Sequence, residues 1–471
     1  MAASHLHRAG LCVLLLASVV LRVILVFRGG QRFWPDESRY GVALGAWDLL
    51  GSGHWKAAAL RIFNGGDHLG FKAIMLGPAW LHRHWPAAIS IPSTIVSLFS
   101  VANIYWVWRL ARRLGADERE AFWAAAAMAA SASMAYWARH LVPYDVAMFW
   151  ALASLYTGLA PRPRSLHSVL AGVLGFAAFV TYLGYWSTVA CALTIHVLRA
   201  WPDAKAMVTR AGLSFLGLAG CFGLLVLSTH LLGSDLLASL RGFSSAVTQG
   251  EYNEGHLVFF SYLWSAERVS ALLWATALLA FILLARRADA QTRRRGLVWA
   301  SSIVALFVIL VAGSNVLHKF VVYGRLARQV VPFCALLVGW TATRVLRERA
   351  SGWGERLALL ALLTSGALGM VQPLRQDFPI PFRLHAQQVM TDYSRIHASD
   401  LARTPSRFRV LYDSFIWPYP VEAPFSPRSE VLLERPHPLA WRPYLLEGFN
   451  HDQREKLEHT DISMKLVLLR E

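Results

Sequence analysis

Long apolar runs alternate with short basic loops over the first 373 residues, and the pattern changes abruptly after them. Runs near the ~20 residues that a helix needs to cross a bilayer lie at 10–27, 88–108, 120–137, 143–160, 166–181, 183–199, 211–232, 266–285, 297–314, 327–343 and 356–372. They predict an all-α polytopic membrane protein with about 11 transmembrane helices. The first run follows a basic segment, as in a signal peptide, but Phe27-Arg28-Gly29-Gly30-Gln31 is a poor cleavage site, so it is expected to stay as the first membrane helix. In the loop 28–87, Tyr40, Leu44, Trp47 and Leu50 recur at helical spacing and predict an interfacial helix with Asp36 and Glu37 at its start. Phe71 to Leu81 is apolar but too short to span.

From Leu374 the composition is that of a water-exposed domain. Arg407 to Tyr412 and Ser463 to Leu469 read as strands, and Met390 to Leu401 as a helix. Two units follow: a transmembrane domain, 1–373, with 28–87 as its first outer loop, and a small C-terminal α/β outer domain, 374–471.

The net charge of +17 has to be located before it is read. Residues 374–471 hold 13 Lys/Arg and 13 Asp/Glu, so the excess lies in the membrane part. There it gathers in short loops: Arg109, Arg112, Arg113 and Arg119; Arg199, Lys205 and Arg210; Arg286 to Arg295; Arg344 to Arg356. That is the positive-inside signature, not a nucleic-acid footprint. It puts the N-terminus in the cytoplasm, and the first loop and tail on the outer face of the cytoplasmic membrane. Cys12, Cys191, Cys221 and Cys334 all fall in apolar runs, which indicates neither a disulfide framework nor a zinc site.

The candidate chemistry gathers at the outward ends of these spans. Asp36-Glu37 in Trp34-Pro35-Asp36-Glu37-Ser38-Arg39-Tyr40 would, in isolation, be an acidic helix start. Arg39 and Tyr40 beside it shift the weight toward a site. Asp145 opens an apolar span in Arg139-His140-Leu141-Val142-Pro143-Tyr144-Asp145. A carboxylate there is either functional or paired, and Arg139 is the partner nearest in sequence. Asp67-His68 and Lys72 follow a glycine-rich turn, and His68 is a candidate metal ligand only, since a metal needs convergent ligands. In His318 to Arg328, Arg325 and Arg328 could anchor the interface or bind a lipid phosphate.

Phe33-Trp34-Pro35-Asp36-Glu37-Ser38-Arg39-Tyr40 resembles the first-loop signature of the C-type (GT-C) membrane glycosyltransferases, within them the superfamily of protein O-mannosyltransferases and lipid A aminoarabinose transferases. Gly51 to Trp55, Arg139 to Asp145 and Arg325 to Pro332 resemble further elements of the same superfamily. The departure is at His68 to Ile74, where Lys72 matches a family lysine but the preceding acid is Phe71 and the prolines are absent.

The resemblance implies a polyprenyl-phosphate sugar donor, an acceptor glycan, lipid or protein reached from the outer face, and inversion by direct displacement. It implies Asp36 as general base, with Glu37 and Asp145 as the other acids of the catalytic set. Arg39, Lys72 and Arg325 would meet the donor phosphate, and Tyr40, His68, Arg139 and Arg328 would line the substrate site. It implies no certain cofactor and leaves a divalent metal open, with membrane lipids as further partners and no nucleic acid. The competing classes are a transporter or flippase of a lipid-linked sugar, which would show repeated halves, and a membrane scaffold.

Overall fold

The computed structural model describes residues 2–28, 39–64, 66–84, 90–161, 164–248, 256–318, 324–349, 352–376, 407–413, 429–437 and 462–469. Asp36, Glu37, the Arg325 side chain and the helix expected at 390–401 lie outside the described residues.

The chain opens with α1 (Ala2–Arg28), and the first loop holds four short helices, α2 (Arg39–Gly51), α3 (Trp55–Phe63), α4 (Leu69–Ile74) and α5 (Leu76–His84). The bundle continues through α6 (Ser90–Arg113), α7 (Glu118–Ala129), α8 (Ala132–Trp137), α9 (Tyr144–Gly158), α10 (Ser165–Thr181) and α11 (Trp186–Leu198). Then come α12 (Ala204–Leu231), α13 (Leu236–Thr248), α14 (Val258–Glu267), α15 (Val269–Leu284), α16 (Ala290–Val311), α17 (Val331–Arg349) and α18 (Gly352–Gln376). The chain is a polytopic membrane protein: among the described residues, α1, α6, α12, α16, α17 and α18 are long and apolar enough to cross a bilayer. Among the described residues the apolar runs marked in the sequence fall largely in helix, the run at 266–285 being divided between α14 and α15 at Arg268, and the connection between α10 and α11 is a single 3-10 turn, Leu183–Tyr185.

The run at 120–137 is not one helix. It breaks at Ala130 and Ser131, where the Ser131 side chain caps α8. The buried Glu267 carboxylate accepts from the Ala132 and Ser133 amides at 2.8 and 3.1 Å and from the Ser131 hydroxyl at 2.6 Å. A buried break leaves amides without helical partners, and a carboxylate at that end satisfies them. Helix α2 differs too: Tyr40, Ala43, Leu44 and Ala46 are buried, and the helix packs on α3 and α5 rather than lying alone along a surface.

Ion pairs tie one end of the bundle together. Arg8 meets Glu118 at 2.8 Å, Arg119 meets Glu355 at 2.7 Å, and Arg295 and Arg344 meet Glu120 at 3.3 and 3.2 Å. The start of α1, the α6–α7 turn, the start of α16, the end of α17 and the start of α18 therefore share one end, as the distribution of arginines predicts. Arg22 lies about 21 Å further along α1 at the helical rise, toward the opposite end.

In the tail, β1 (Arg407–Asp413), β2 (Ser429–His437) and β3 (Ile462–Leu469) form an antiparallel sheet in the order β1-β3-β2. β1 and β3 cover the two predicted strands. β2 contains Pro436, which argues against a central strand, and it is an edge strand here, where proline is tolerated.

Helices α10 and α12 touch through glycines. A Cβ on Gly172 would sit 2.0 Å from the Ser214 carbonyl oxygen, and one on Gly217 2.2 Å from that of Val169. Such small-residue contacts let membrane helices pack backbone to backbone. Gly172→Val is expected to lower the thermal midpoint of the detergent-purified protein by several degrees. Gly220→Ala, where a Cβ meets nothing within 4 Å, is expected to leave it unchanged; equal midpoints for the two variants would refute the packing argument.

Candidate active site

The first loop is fastened to the far end of the bundle by an apolar cluster. Tyr40 and Leu44 of α2, Phe71 of α4 and Met75 pack with Val96 of α6 and with Leu141 and Val146 on either side of Asp145. This packing brings polar residues distant in sequence to one end.

The first group is built on Asp67. Its Oδ2 accepts from Arg39 Nε at 2.8 Å and its Oδ1 from Lys72 Nζ at 2.5 Å. Lys72 is buried and Asp67 half-buried, so two cations share one carboxylate in a partly desolvated place. Although burial opposes ionisation, Arg39, Lys72 and His68 hold the Asp67 carboxyl well below the usual carboxylate range. His68 adopts a left-handed backbone with φ 47°, which turns the chain into α4 and places its buried ring on Tyr182, centroids 4.7 Å apart.

The second group is built on Asp145, 1% exposed at the first turn of α9. Its Oδ1 accepts from Arg328 Nη2 at 3.0 Å, and its backbone carbonyl accepts from Asn103 Nδ2 at 2.9 Å. The partner that the sequence offered, Arg139, is instead stacked over the Tyr136 ring at 4.4 Å. Arg328 comes from a 3-10 segment, Gly324–Val330, that Gln329 pins to the start of α11. The Gln329 side-chain oxygen accepts from Ser187 and Thr188 at 2.9 and 2.5 Å, and its Nε2 donates to the Gly184 carbonyl at 3.0 Å.

Arg22 of α1 is within electrostatic reach of both Asp145 and Arg328 and is itself 1% exposed, with Nε donating to the Ser100 hydroxyl at 3.1 Å. Asp145 Oδ2, Arg328 Nε and Nη1, Arg22 Nη2 and the Tyr185 hydroxyl have no hydrogen-bond partner among the described residues. Two guanidiniums against one described carboxylate leave this group one positive charge in surplus among the described residues.

Aromatic rings connect the groups. Tyr182 stacks on His68 and meets Tyr144 edge-on at 5.1 Å, and the Arg328 guanidinium lies 5.5 Å from the Tyr144 centroid. The structure therefore brings Arg39, Tyr40, His68, Lys72, Asp145 and Arg328 to one end of the fold. Among the described residues no group of three His, Cys, Asp or Glu could hold a metal ion, and both Asp67 oxygens are taken by cations. His68 thus has no metal-ligand set around it among the described residues.

By sequence the chain matches no family model and no curated protein. By structure it matches ArnT from Cupriavidus metallidurans in the apo state, at 16% identity and a TM-score of 0.52 over 76% of this chain. The chain has the GT-C fold. A second structure of that ArnT, bound to undecaprenyl phosphate, matches at 17% identity with a TM-score of 0.49 over 75% of this chain. The chain covers 63% of the length of each of these structures.

Two residues that organise these groups, Arg22 and Asp67, were not among the residues assigned to the candidate site from the sequence. Arg22 had a readable signal, a lone arginine in an apolar run, which is expensive in a membrane helix unless it is used. Asp67 had none, because its role depends on two cations that the fold brings to it.

Removing one partner of a buried pair leaves the other uncompensated, at a cost of about 3–5 kcal/mol. Arg328→Met is accordingly expected to destabilise the protein strongly, and the double variant Arg328→Met with Asp145→Leu to recover part of the loss; thermal unfolding in detergent checks the pair. Asp67 titrates lower in the fold than in the unfolded chain, so its contribution is present in full above the unfolded value near ~4 and fades as pH falls below it. The deficit of Asp67→Asn in thermal midpoint should be constant from pH 7 to 5 and shrink only below about pH 4. A deficit that vanishes already at pH 5 would contradict the ion-pair assignment.

Proposed function

We propose that this chain is a glycosyltransferase that moves a sugar from a polyprenyl-phosphate donor to an acceptor hydroxyl on the outer face of the cytoplasmic membrane, with inversion. The observation that carries the reading is the meeting of two cation–carboxylate groups, Arg39–Asp67–Lys72 and Arg22–Asp145–Arg328, at a single end of a GT-C fold. A donor phosphodiester bears one negative charge, and the departing polyprenyl phosphate bears more. Cationic donors already held in place are suited to that change, because they stabilise the charge that develops as the bond breaks.

In this mechanism the acceptor oxygen attacks the anomeric carbon, the carbon–oxygen bond to phosphate breaks, and the acceptor's proton passes to a carboxylate. The first-loop resemblance gives the proton to Asp36 and leaves Glu37 to orient a hydroxyl. Arg39 and Lys72 face the phosphate. Asp67 fixes their positions in advance, so little reorganisation is needed during transfer. Arg328, with Arg325 on the same segment, supplies further positive charge, and Asp145 orients Arg328. Tyr40, His68 and Arg139 complete the substrate site. The eleven crossings, the outward position of both site and tail, and the acceptor class belong to the same proposal. The transporter reading is not favoured, since the matched fold is that of a transferase.

Asp36→Asn is expected to abolish sugar transfer from a purified polyprenyl-phosphate donor without loss of folded protein; near-normal turnover would remove Asp36 as the base. Arg39→Ala is expected to raise the donor KM about tenfold or more, the loss of one charge-assisted contact. An unchanged KM would take Arg39 out of the phosphate site.

A further inference from the structure

The chain from Thr181 to Thr188 closes α10, forms the 3-10 turn Leu183–Tyr185 and opens α11. It carries none of the acids or bases placed in the site above, yet both groups of the site rest on it. The first loop meets it through backbone and ring. A Cβ on Gly70, close before Lys72, would sit 2.9 Å from the Thr181 amide nitrogen and from its hydroxyl, so α4 lies directly against the end of α10. The next residue, Tyr182, stacks on His68, the neighbour of Asp67, at 4.7 Å.

The 3-10 segment that delivers Arg328 meets the same turn. A Cβ on Gly184 would sit 2.6 Å from the Tyr182 ring and 2.9 Å from the Leu326 side chain. Gln329, 1% exposed, then spans the turn. Its Oε1 accepts from the buried Ser187 and Thr188 hydroxyls at 2.9 and 2.5 Å, and its Nε2 donates to the Gly184 carbonyl at 3.0 Å. Both acceptor positions of the amide oxygen and one N–H are thereby used.

Many buried amides do no more than hold two segments together. This one holds the residue next to Arg328 to the turn on which Tyr182 and, through it, His68 are seated. It therefore joins the two groups that the transferase reading assigns to a single donor. Groups that must grip one phosphate together depend on their separation, and a misplacement of ~1 Å in a positioned site can cost about a hundredfold.

We propose that Gln329 is a positioning residue for the donor site: clamped to Gly184, Ser187 and Thr188, it fixes the separation of the Asp67 and Asp145 groups, and through it their joint hold on the donor phosphate. The identity of the ligand rests on the glycosyltransferase reading; the clamp does not. Two measurements on the full-length protein in detergent test the assignment. In the first, thermal midpoints are compared for wild type, Gln329→Met, His68→Ala and the double variant. With the clamp gone, Tyr182 no longer has a fixed place against His68, so the deficit caused by His68→Ala should fall to about half or less in the Gln329→Met background, the non-additivity of coupled residues. In the second, undecaprenyl phosphate, of the class that the proposed transfer releases, is titrated well below every midpoint.

Gln329→Met should weaken that binding about tenfold or more, as a displaced group does. Gly184→Ala, which displaces Tyr182 and Leu326 without removing a hydrogen bond, should weaken it similarly, and it takes the place of Gln329→Met in both measurements if that variant does not fold. Ser168→Ala removes a buried hydroxyl that meets His196 at 2.9 Å at the other end of the same two helices. It should lower the midpoint and leave the affinity within about twofold of wild type, as for a distant site. Additive thermal deficits overturn the clamp. Unchanged affinity in the Gln329 and Gly184 variants, or an equal loss in Ser168→Ala, overturns the positioning role. Wild-type protein that does not bind undecaprenyl phosphate counts instead against the glycosyltransferase reading, and the thermal comparison then decides the clamp alone.

Discussion

A guanidinium and a carboxylate out of reach of water can coexist only if each satisfies the other, and Arg328 and Asp145 do so at 3.0 Å with both side chains 1% exposed. The requirement propagates outward. Arg328 must be delivered by a segment that cannot drift, hence the three bonds of Gln329 to the α10–α11 turn and to α11. Asp145 must sit at the mouth of its helix, hence the bond from Asn103 to its carbonyl. Even so, the pair is not closed on itself, because Arg22 adds a second cation and several donors stay unmatched among the described residues. A purely structural ion pair would gain nothing from that surplus, whereas a site that handles phosphate would use it.

The first loop couples to this pair by packing rather than by charge. Leu141 and Val146 flank Asp145 in sequence and share a cluster with Tyr40, Leu44 and Phe71, so a shift of the loop that carries Arg39 and Lys72 would be felt at α9. The His68–Tyr182–Tyr144 contacts make the same connection along another route. Asp67 gives Arg39 and Lys72 a fixed separation. Rigid placement of this sort, more than the number of charges, allows electrostatic stabilisation without reorganisation.

Much of the bundle was legible because bilayer thickness sets helix length, so a run such as 297–314 declares itself by size and composition alone. The break at Ser131 was not, because alanine-rich sequence on both sides carries no helix-stop signal; the stop depends on Glu267, over a hundred residues away. The candidate site was legible in its residues and not in their pairings. Arg39, Lys72, Asp145 and Arg328 could be named from residue type and position near span ends, but their pairings could not. Proximity in sequence offered Arg139 to Asp145, and the fold supplied Arg328. Likewise Asp67 looked like part of a glycine-rich turn, and its significance exists only where α2 and α4 meet. In the tail, β1 and β3 showed their alternation, while β2 was hidden by a proline that an edge position tolerates.

The Glu267 cap has an implication for when the bend is complete. The Ser131 hydroxyl can satisfy the Met134 amide from within this stretch, but the Ala132 and Ser133 amides need the Glu267 carboxylate of α14. The bend between α7 and α8 therefore depends on a partner more than a hundred residues further along the chain, and it is complete only in the assembled bundle. Since Ser100 donates to the Met134 carbonyl and Met134 lies against Arg328, the bend also helps to hold the polar end of the bundle in place.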